Sequence, residues 1–215
     1  MPDPPTPRPA ATVILLRRGG KHADRALEVL LVQRNLEARF MPGVWVFPGG
    51  AVGDDDTAAA QAAHEDFAAE LDEDERVHRT CAVRELEEEA GIALPASELM
   101  PWSRWITPEE VPIRFDTRFY LALAPAHSPP KPDGAETVDA RWVEPGDALE
   151  GHRSGELELV FPTIKHLESL LPYSNAEDAL AAVAALPPTP VLPRVVGEGD
   201  ARRIVLPGEA GYEDH

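Results

Sequence analysis

A single cysteine, Cys81, stands among 215 residues. No disulfide can form within the chain, which fits a reducing cytoplasm. Basic residues are scarce: 20 Lys and Arg face 38 Asp and Glu, a formal charge of −18. Without a basic patch of any size, a general nucleic-acid binder is excluded. No apolar run nears the ~20 residues that a membrane span requires. The Pro-rich first ten residues lack an apolar stretch, so no signal peptide is expected. What is present is 43% apolar residues, enough for one folded domain with a substantial core. The expectation is a cytoplasmic protein whose partner is a small molecule rather than nucleic acid or membrane.

Residues 1–11 read as a flexible lead and residues 12–186 as the domain. TVILL (12–16) and LEVLLV (27–32) are short aliphatic runs, and RRGGKHADR (17–25) between them has turn composition, so two strands joined by a polar loop are expected. A third strand over 44–47 runs into Phe47-Pro48-Gly49-Gly50, read as a turn whose glycines let backbone groups come close to a ligand. The Ala-rich stretch 57–71 reads as a helix and 72–75 as an acidic link. Strands are expected over 99–124 and at 139–143, and helices over 159–171 and 175–186. His166 is assigned no chemistry. The 187–215 tail holds two short runs, 193–196 and 201–206, around a Gly-rich turn. Two strands alone are marginal in water. Such a hairpin is expected to dock on its own domain or on a second copy in a homodimer, or else to be disordered.

The stretch Arg84-Glu85-Leu86-Glu87-Glu88-Glu89-Ala90-Gly91-Ile92 carries the densest chemistry. As a helix over 77–90, at about 100° per residue, it puts Arg84, Glu85, Glu88 and Glu89 on one arc and Val83, Leu86 and Ala90 on the other. Gly91 is placed to end the helix, since φ > 0 costs glycine little. Like charges three and four residues apart repel by a few tenths of a kcal/mol per pair. A hard divalent cation such as Mg²⁺ offsets that repulsion. A solvated acidic face is the alternative. Cys81, on the same arc one turn earlier, reads as a small buried residue rather than a nucleophile.

The order of these residues resembles the second half of the Nudix box, G-x5-E-x7-R-E-U-x-E-E-x-G-U, with U a bulky aliphatic residue. Arg84, Glu85, Leu86, Glu88, Glu89, Gly91 and Ile92 all match. The resemblance implies an α/β fold, an αβα sandwich around a mixed β-sheet, and hydrolysis of a diphosphate with bound Mg²⁺ or Mn²⁺. It implies Glu85, Glu88 and Glu89 as metal ligands, joined by the carbonyl of Gly49 or Gly50. Arg84 then orients a Glu through a bidentate pair, and Glu85 or Glu136 acts as base on water. Glu136 is the position, six before Trp142, at which many such enzymes present an extra carboxylate from a loop; Asp133 is the reserve. Gly50 and Arg84 are about 20 residues further apart than in the compact motif, which places an insertion at 57–75. The Glu that the motif sets eight before Arg84 is Arg76 here; Glu75, one place off, replaces it, or the position is dispensed with.

The segment LLVQRNLEARFMPGVWVFPGG resembles the coenzyme A signature of one Nudix branch, L-L-T-x-R-[SA]-x3-R-x3-G-x3-F-P-G-G. Leu30, Leu31, Arg34, Arg39, Gly43, Phe47, Pro48, Gly49 and Gly50 are in register; Val32 and Asn35 depart. The resemblance implies substrate contacts from Arg34, Arg39, Gly49 and, from RFDTRF (114–119), Arg118 or Arg114. It implies cleavage of coenzyme A or acyl-coenzyme A into 3',5'-ADP and (acyl-)phosphopantetheine. ADP-ribose, NADH or another nucleoside diphosphate derivative is the alternative substrate, and a non-catalytic nucleotide sensor the alternative class.

Overall fold

The computed structural model describes residues 4–19, 27–38, 41–63, 67–68, 70–183, 188–197, 199 and 202–213. Its centre is β1 (Arg8–Arg18), which pairs antiparallel with β2 (Leu27–Arg34) and β4 (Gly49–Ala51) and parallel with β6 (Phe115–Leu123). The strands β3 (Trp45–Val46) and β7 (Thr137–Val143) attach to β2, and β5 (Met100–Ile106) to β6. With β8 (Pro190–Val191) beside β5, they form one eight-stranded mixed sheet.

Side-chain alternation along the strands splits the core into two layers. Val13, Leu15, Leu30 and Tyr120 pack with Cys81, Leu86 and Ala90 of α2 (Glu73–Ala90). Ile14, Leu16, Val29, Leu31 and Leu121 pack with α3 (Pro145–Ser154), α4 (Phe161–Leu170) and α5 (Ala176–Ala181). Helices therefore cover both faces, the α/β/α sandwich that the motif implied. Among the described residues, no helix is long and apolar enough to cross a membrane.

Several elements differ from the sequence reading. Residues 8–11 are no flexible lead: they open β1 and pair with β6, while Arg114 Nη1 donates to the carbonyl of Pro5. Gly49 and Gly50 are a strand rather than a turn, because β1 supplies backbone partners at Ala11 and Thr12. The inserted helix is shorter and earlier, α1 (Asp54–Ala62). The expected acidic link is the first turn of α2, since the Asp72 carboxylate accepts from the Glu75 N–H at 2.7 Å and acids suit a helix N-terminus. Beyond β8, the strands β9 (Arg194–Val196) and β10 (Arg203–Val205) pair antiparallel and bury Val196 and Val205. The loop centre at 20–25, the boundary at 186–187 and residue 201 lie outside the described residues.

His166 is buried on the inner side of α4, its ring against Phe119 at 4.1 Å between centroids. Its Nδ1 donates to the Pro162 carbonyl at 2.6 Å, and its Nε2 accepts from Ser103 Oγ at 2.6 Å. Burial pushes its pKa down from 6.5 to about 4. As pH falls below 6.5 the unfolded chain takes up a proton that the folded ring refuses. Stability is thus full above that value and drops by about 3 kcal/mol on reaching pH 4. Urea unfolding of the wild type and His166→Gln at both pH 7 and pH 4.5 isolates this contribution: the stability of the wild type relative to the variant should fall by about 2–3 kcal/mol at the lower pH, the carboxylates acting on both alike.

Candidate active site

The carboxylates are set by α2 and the glycines of β4. The helix ends at Gly91, with φ of 65°, as its lack of a Cβ allows. Glu85 and Glu89, one turn apart, both point at β4. The Gly49 N–H donates to Glu89 Oε2 at 2.9 Å. A Cβ on Gly50 would lie 2.2 Å from Glu85 Oε1, so the carboxylate occupies the space that a side chain would fill. Gly50→Ala should therefore push aside a side-chain tip rather than the backbone. The expected result is little change in melting temperature but a loss in turnover of about a hundredfold, since a 1 Å misplacement of a reacting group costs that much; paired thermal melts and steady-state kinetics would check it.

Arg84 is held by a residue that the sequence reading missed. Its Nε and Nη2 donate to Asp56 Oδ1 and Oδ2 at 2.7 and 2.9 Å, a bidentate fork. Its Nη1 lies 2.9 Å from Glu85 Oε1 and 2.8 Å from Glu88 Oε2. The bidentate partner is thus Asp56 rather than a Glu. Counted forward from Gly50, Asp56 falls after five residues, at the box's first carboxylate; counting back eight from Arg84 stops short of the insertion's far side, at Arg76, one place from Glu75. Burial opposes ionisation of Asp56, but the bonds from Arg84 and the Gly53 N–H outweigh it and hold its carboxyl below the usual range. Glu75 is engaged elsewhere, by Arg79 at 2.8 Å and Arg118 at 2.6 Å.

A cleft of about 460 Å³ opens beside these groups. Glu85, Glu89, Gly49, Gly50, Arg34 and Glu136 line it, so the structure brings these expected site residues together. Arg8, from the stretch read as a lead, lines it too. Glu136 sits on an exposed loop ordered by Asp133, whose carboxylate accepts from the N–H groups of Ala135, Glu136 and Thr137 at 3.2, 3.1 and 2.8 Å. The Thr137 hydroxyl donates to the Glu89 carbonyl at 2.7 Å, tying that loop to α2.

Three expectations are corrected. Glu88 does not line the cleft with the other two carboxylates: one step from Glu89 turns it about 100° round the helix to solvent, where Arg84 Nη1 bridges it to Glu85. Arg118 does not face the cleft. Phe115 and Thr117 do, so strand alternation turns Arg118 to the α2 side, where Asp74 and Glu75 engage it. Arg114 is spent on the carbonyls of Thr107 and Pro5. Arg39 lies outside the described residues. Cys81 is buried, and its thiol pKa is pushed up to about 12, foremost by burial; it is no nucleophile at neutral pH.

Burial raises the pKa of Glu85, with Arg84 working against it. Burial likewise lifts Glu89 to about 8; the Gly49 N–H opposes this, and the charge of Glu85 adds to it. Among the described residues, no group of three or more His, Cys, Asp or Glu is arranged to hold a metal ion. Even so, the cleft presents two desolvated, mutually repelling carboxylates beside a third, Glu136. Hard oxygen donors in that state fit a hard divalent cation of the Mg²⁺ or Mn²⁺ kind.

A family profile described as NUDIX domain matches residues 6–71 and 67–161. The chain belongs to the Nudix family. The two matched segments meet at 67–71, inside the insertion between Asp56 and Arg84. A crystal structure of a NUDIX hydrolase from Alicyclobacillus acidocaldarius superposes with a TM-score of 0.72 at 30% identity, covering 85% of this chain and 99% of that one. The chain is also 27% identical to nudix hydrolase 7 of Caenorhabditis elegans, over 76% of this chain and 60% of that protein. It is 25% identical to the human acyl-coenzyme A diphosphatase NUDT19, over 70% of this chain and 62% of that one. The chain thus spans about three fifths of the length of these two curated relatives.

Proposed function

We propose that this Nudix protein hydrolyses the diphosphate of coenzyme A or an acyl-coenzyme A, releasing 3',5'-ADP and (acyl-)phosphopantetheine. The observation that carries this reading is the cleft itself, where Glu85, Glu89 and Glu136 meet Arg34 and the two glycines of the Leu30–Gly50 signature. The human relative described as an acyl-coenzyme A diphosphatase supports it. The two departures from the signature lie outside the cleft lining. Val32 is fully buried in the α2-side core, and Asn35 Nδ2 donates to the Ala135 carbonyl at 2.7 Å, steadying the loop of Glu136.

Glu85 and Glu89, joined by the carbonyl of Gly49 or Gly50, would hold the divalent cation. That ion supplies charge neutralisation at the phosphates and lowers the pKa of water. Arg34 and Arg8 attract the anionic substrate into an otherwise acidic protein. Glu136, or Glu85 in the alternative assignment, takes the proton of the attacking water. The water oxygen bonds to one phosphorus as the bridging P–O bond breaks. Asp56 fixes Arg84, and Arg84 fixes the rotamers of Glu85 and Glu88. A nucleotide sensor has no need of two buried carboxylates kept beside an open cleft. The working form is taken as cytoplasmic, acting on a small molecule as a monomer or homodimer.

The test is a Mg²⁺-dependent panel of coenzyme A, acyl-coenzyme A, ADP-ribose and NADH with products read by mass spectrometry. Phosphopantetheine from coenzyme A compounds is the expected product. Turnover of ADP-ribose or NADH alone would replace this reading with the second substrate class.

A further inference from the structure

The carboxylate cleft continues into a second hollow of about 370 Å³, and the two share Ile113, Phe115 and Thr117 as a common wall. Among the described residues, no charged one lines the second hollow. Trp105 and Phe161, edge to face at 6.2 Å, form one side. Ile204 of β10 and Met41 lie at its margins. Among the described lining residues Thr107 and Thr117 alone bring hydroxyls, and Thr107 Oγ1 is taken up by the Phe115 backbone, accepting from its N–H at 3.0 Å.

Such a lining rejects any occupant with amides or base edges, whose donors and acceptors would lose water without finding partners. It admits hydrocarbon. The lips bear this out independently: Met41, Ile113 and Ile204 are large apolar residues left exposed, and all three converge here. Leaving three such side chains in water around one hollow marks a surface awaiting an apolar ligand.

We propose that this trough binds a hydrocarbon chain carried by the diphosphate substrate, as in a fatty-acyl thioester, with Ile204 and Met41 as its lips. Continuity with the carboxylate cleft through the shared wall identifies the occupant as part of the same molecule, and in this the inference rests on the diphosphatase reading. The C-terminal strand pair thereby becomes part of the substrate site. Free coenzyme A and short thioesters leave the trough empty and are poorer substrates than those with medium chains.

The experiment compares free, acetyl-, hexanoyl-, octanoyl- and decanoyl-coenzyme A on the wild type, Ile204→Glu and, at the other lip residue, Met41→Glu. In the wild type, kcat/KM should rise about fourfold per methylene that enters the trough, as burial of a CH₂ dictates. In both variants that slope should flatten while acetyl-coenzyme A kinetics stay at wild-type values. A flat wild-type series, or an undiminished slope in both variants, overturns the proposal and leaves the diphosphatase reading standing. A second arm needs no turnover: titration of the full chain with cis-parinaric acid, a fluorescent fatty acid. Saturable binding that weakens at least tenfold in Ile204→Glu upholds the trough even if no coenzyme A compound is cleaved. Absence of saturable binding together with absence of turnover overturns it.

Discussion

Replacing Glu85 by Gln is expected to lower kcat by ~10³-fold or more while leaving the melting temperature of the cation-free protein unchanged or raised. The two halves of this result have one cause. Glu85 is buried against Gly50, and burial raises its pKa in spite of Arg84. A carboxylate kept in that position is a cost to the fold that an amide of the same shape does not carry. Gln also removes one of the charges that lift Glu89. Function needs the charge and stability does not, which is the usual trade at an active site. The measurement is a pair of assays on each variant, turnover with Mg²⁺ and thermal unfolding without it. A Glu85→Gln protein that turns over near the wild-type rate would remove Glu85 from the catalytic assignment.

The second large effect falls on a residue that touches no substrate. Asp56→Asn keeps shape but takes away the charge that accepts both arms of the Arg84 fork. Asp56 is fully buried, whereas the Arg84 side chain is 31% exposed. Breaking a wholly buried pair costs ~3–5 kcal/mol. Because water can still reach Arg84, a loss of about 2–3 kcal/mol is expected here. Freed from Asp56, Arg84 can follow Glu88 away from the cleft and leave Glu85 unsupported, so turnover should fall about 10–100-fold as well, in the manner of a lost supporting contact at a metal site. Asp56→Glu, which restores the charge, should recover part of both. If denaturant midpoints and turnover in Asp56→Asn both match the wild type, Asp56 has no part in holding Arg84.

The ease of reading α2 came from spacing: Arg84, Glu85, Glu89 and Gly91 obey one helical period, and a helix has one geometry for one spacing. Asp56 was hidden because a motif counted backward across an insertion loses its register, though the forward count from Gly50 retains it. The opening of β1 was hidden because Arg-Pro-Ala-Ala has no β-branched residue; its strand conformation is imposed by Phe115–Thr117 alongside, a distant pairing that local composition cannot announce. Gly49 and Gly50 read as a turn for the same reason. Arg118 illustrates a finer failure. A strand places alternate residues on opposite faces, so a register error of one residue exchanges a substrate contact for an ion pair with α2. The trough was illegible altogether, since it joins Met41, Trp105, Phe161 and Ile204 from four separate stretches.

The parallel ladder between β1 and β6 runs from Arg8↔Phe115 to Leu16↔Leu123, so β1, once synthesised, finds this partner only more than a hundred residues later. At ~5–20 residues per second, the nascent β1 spends about 5–20 s with one apolar edge open. The hydrophobic stretch Val13–Leu16 is then a point of attachment for chaperones, and a liability when translation stalls before β6 has emerged.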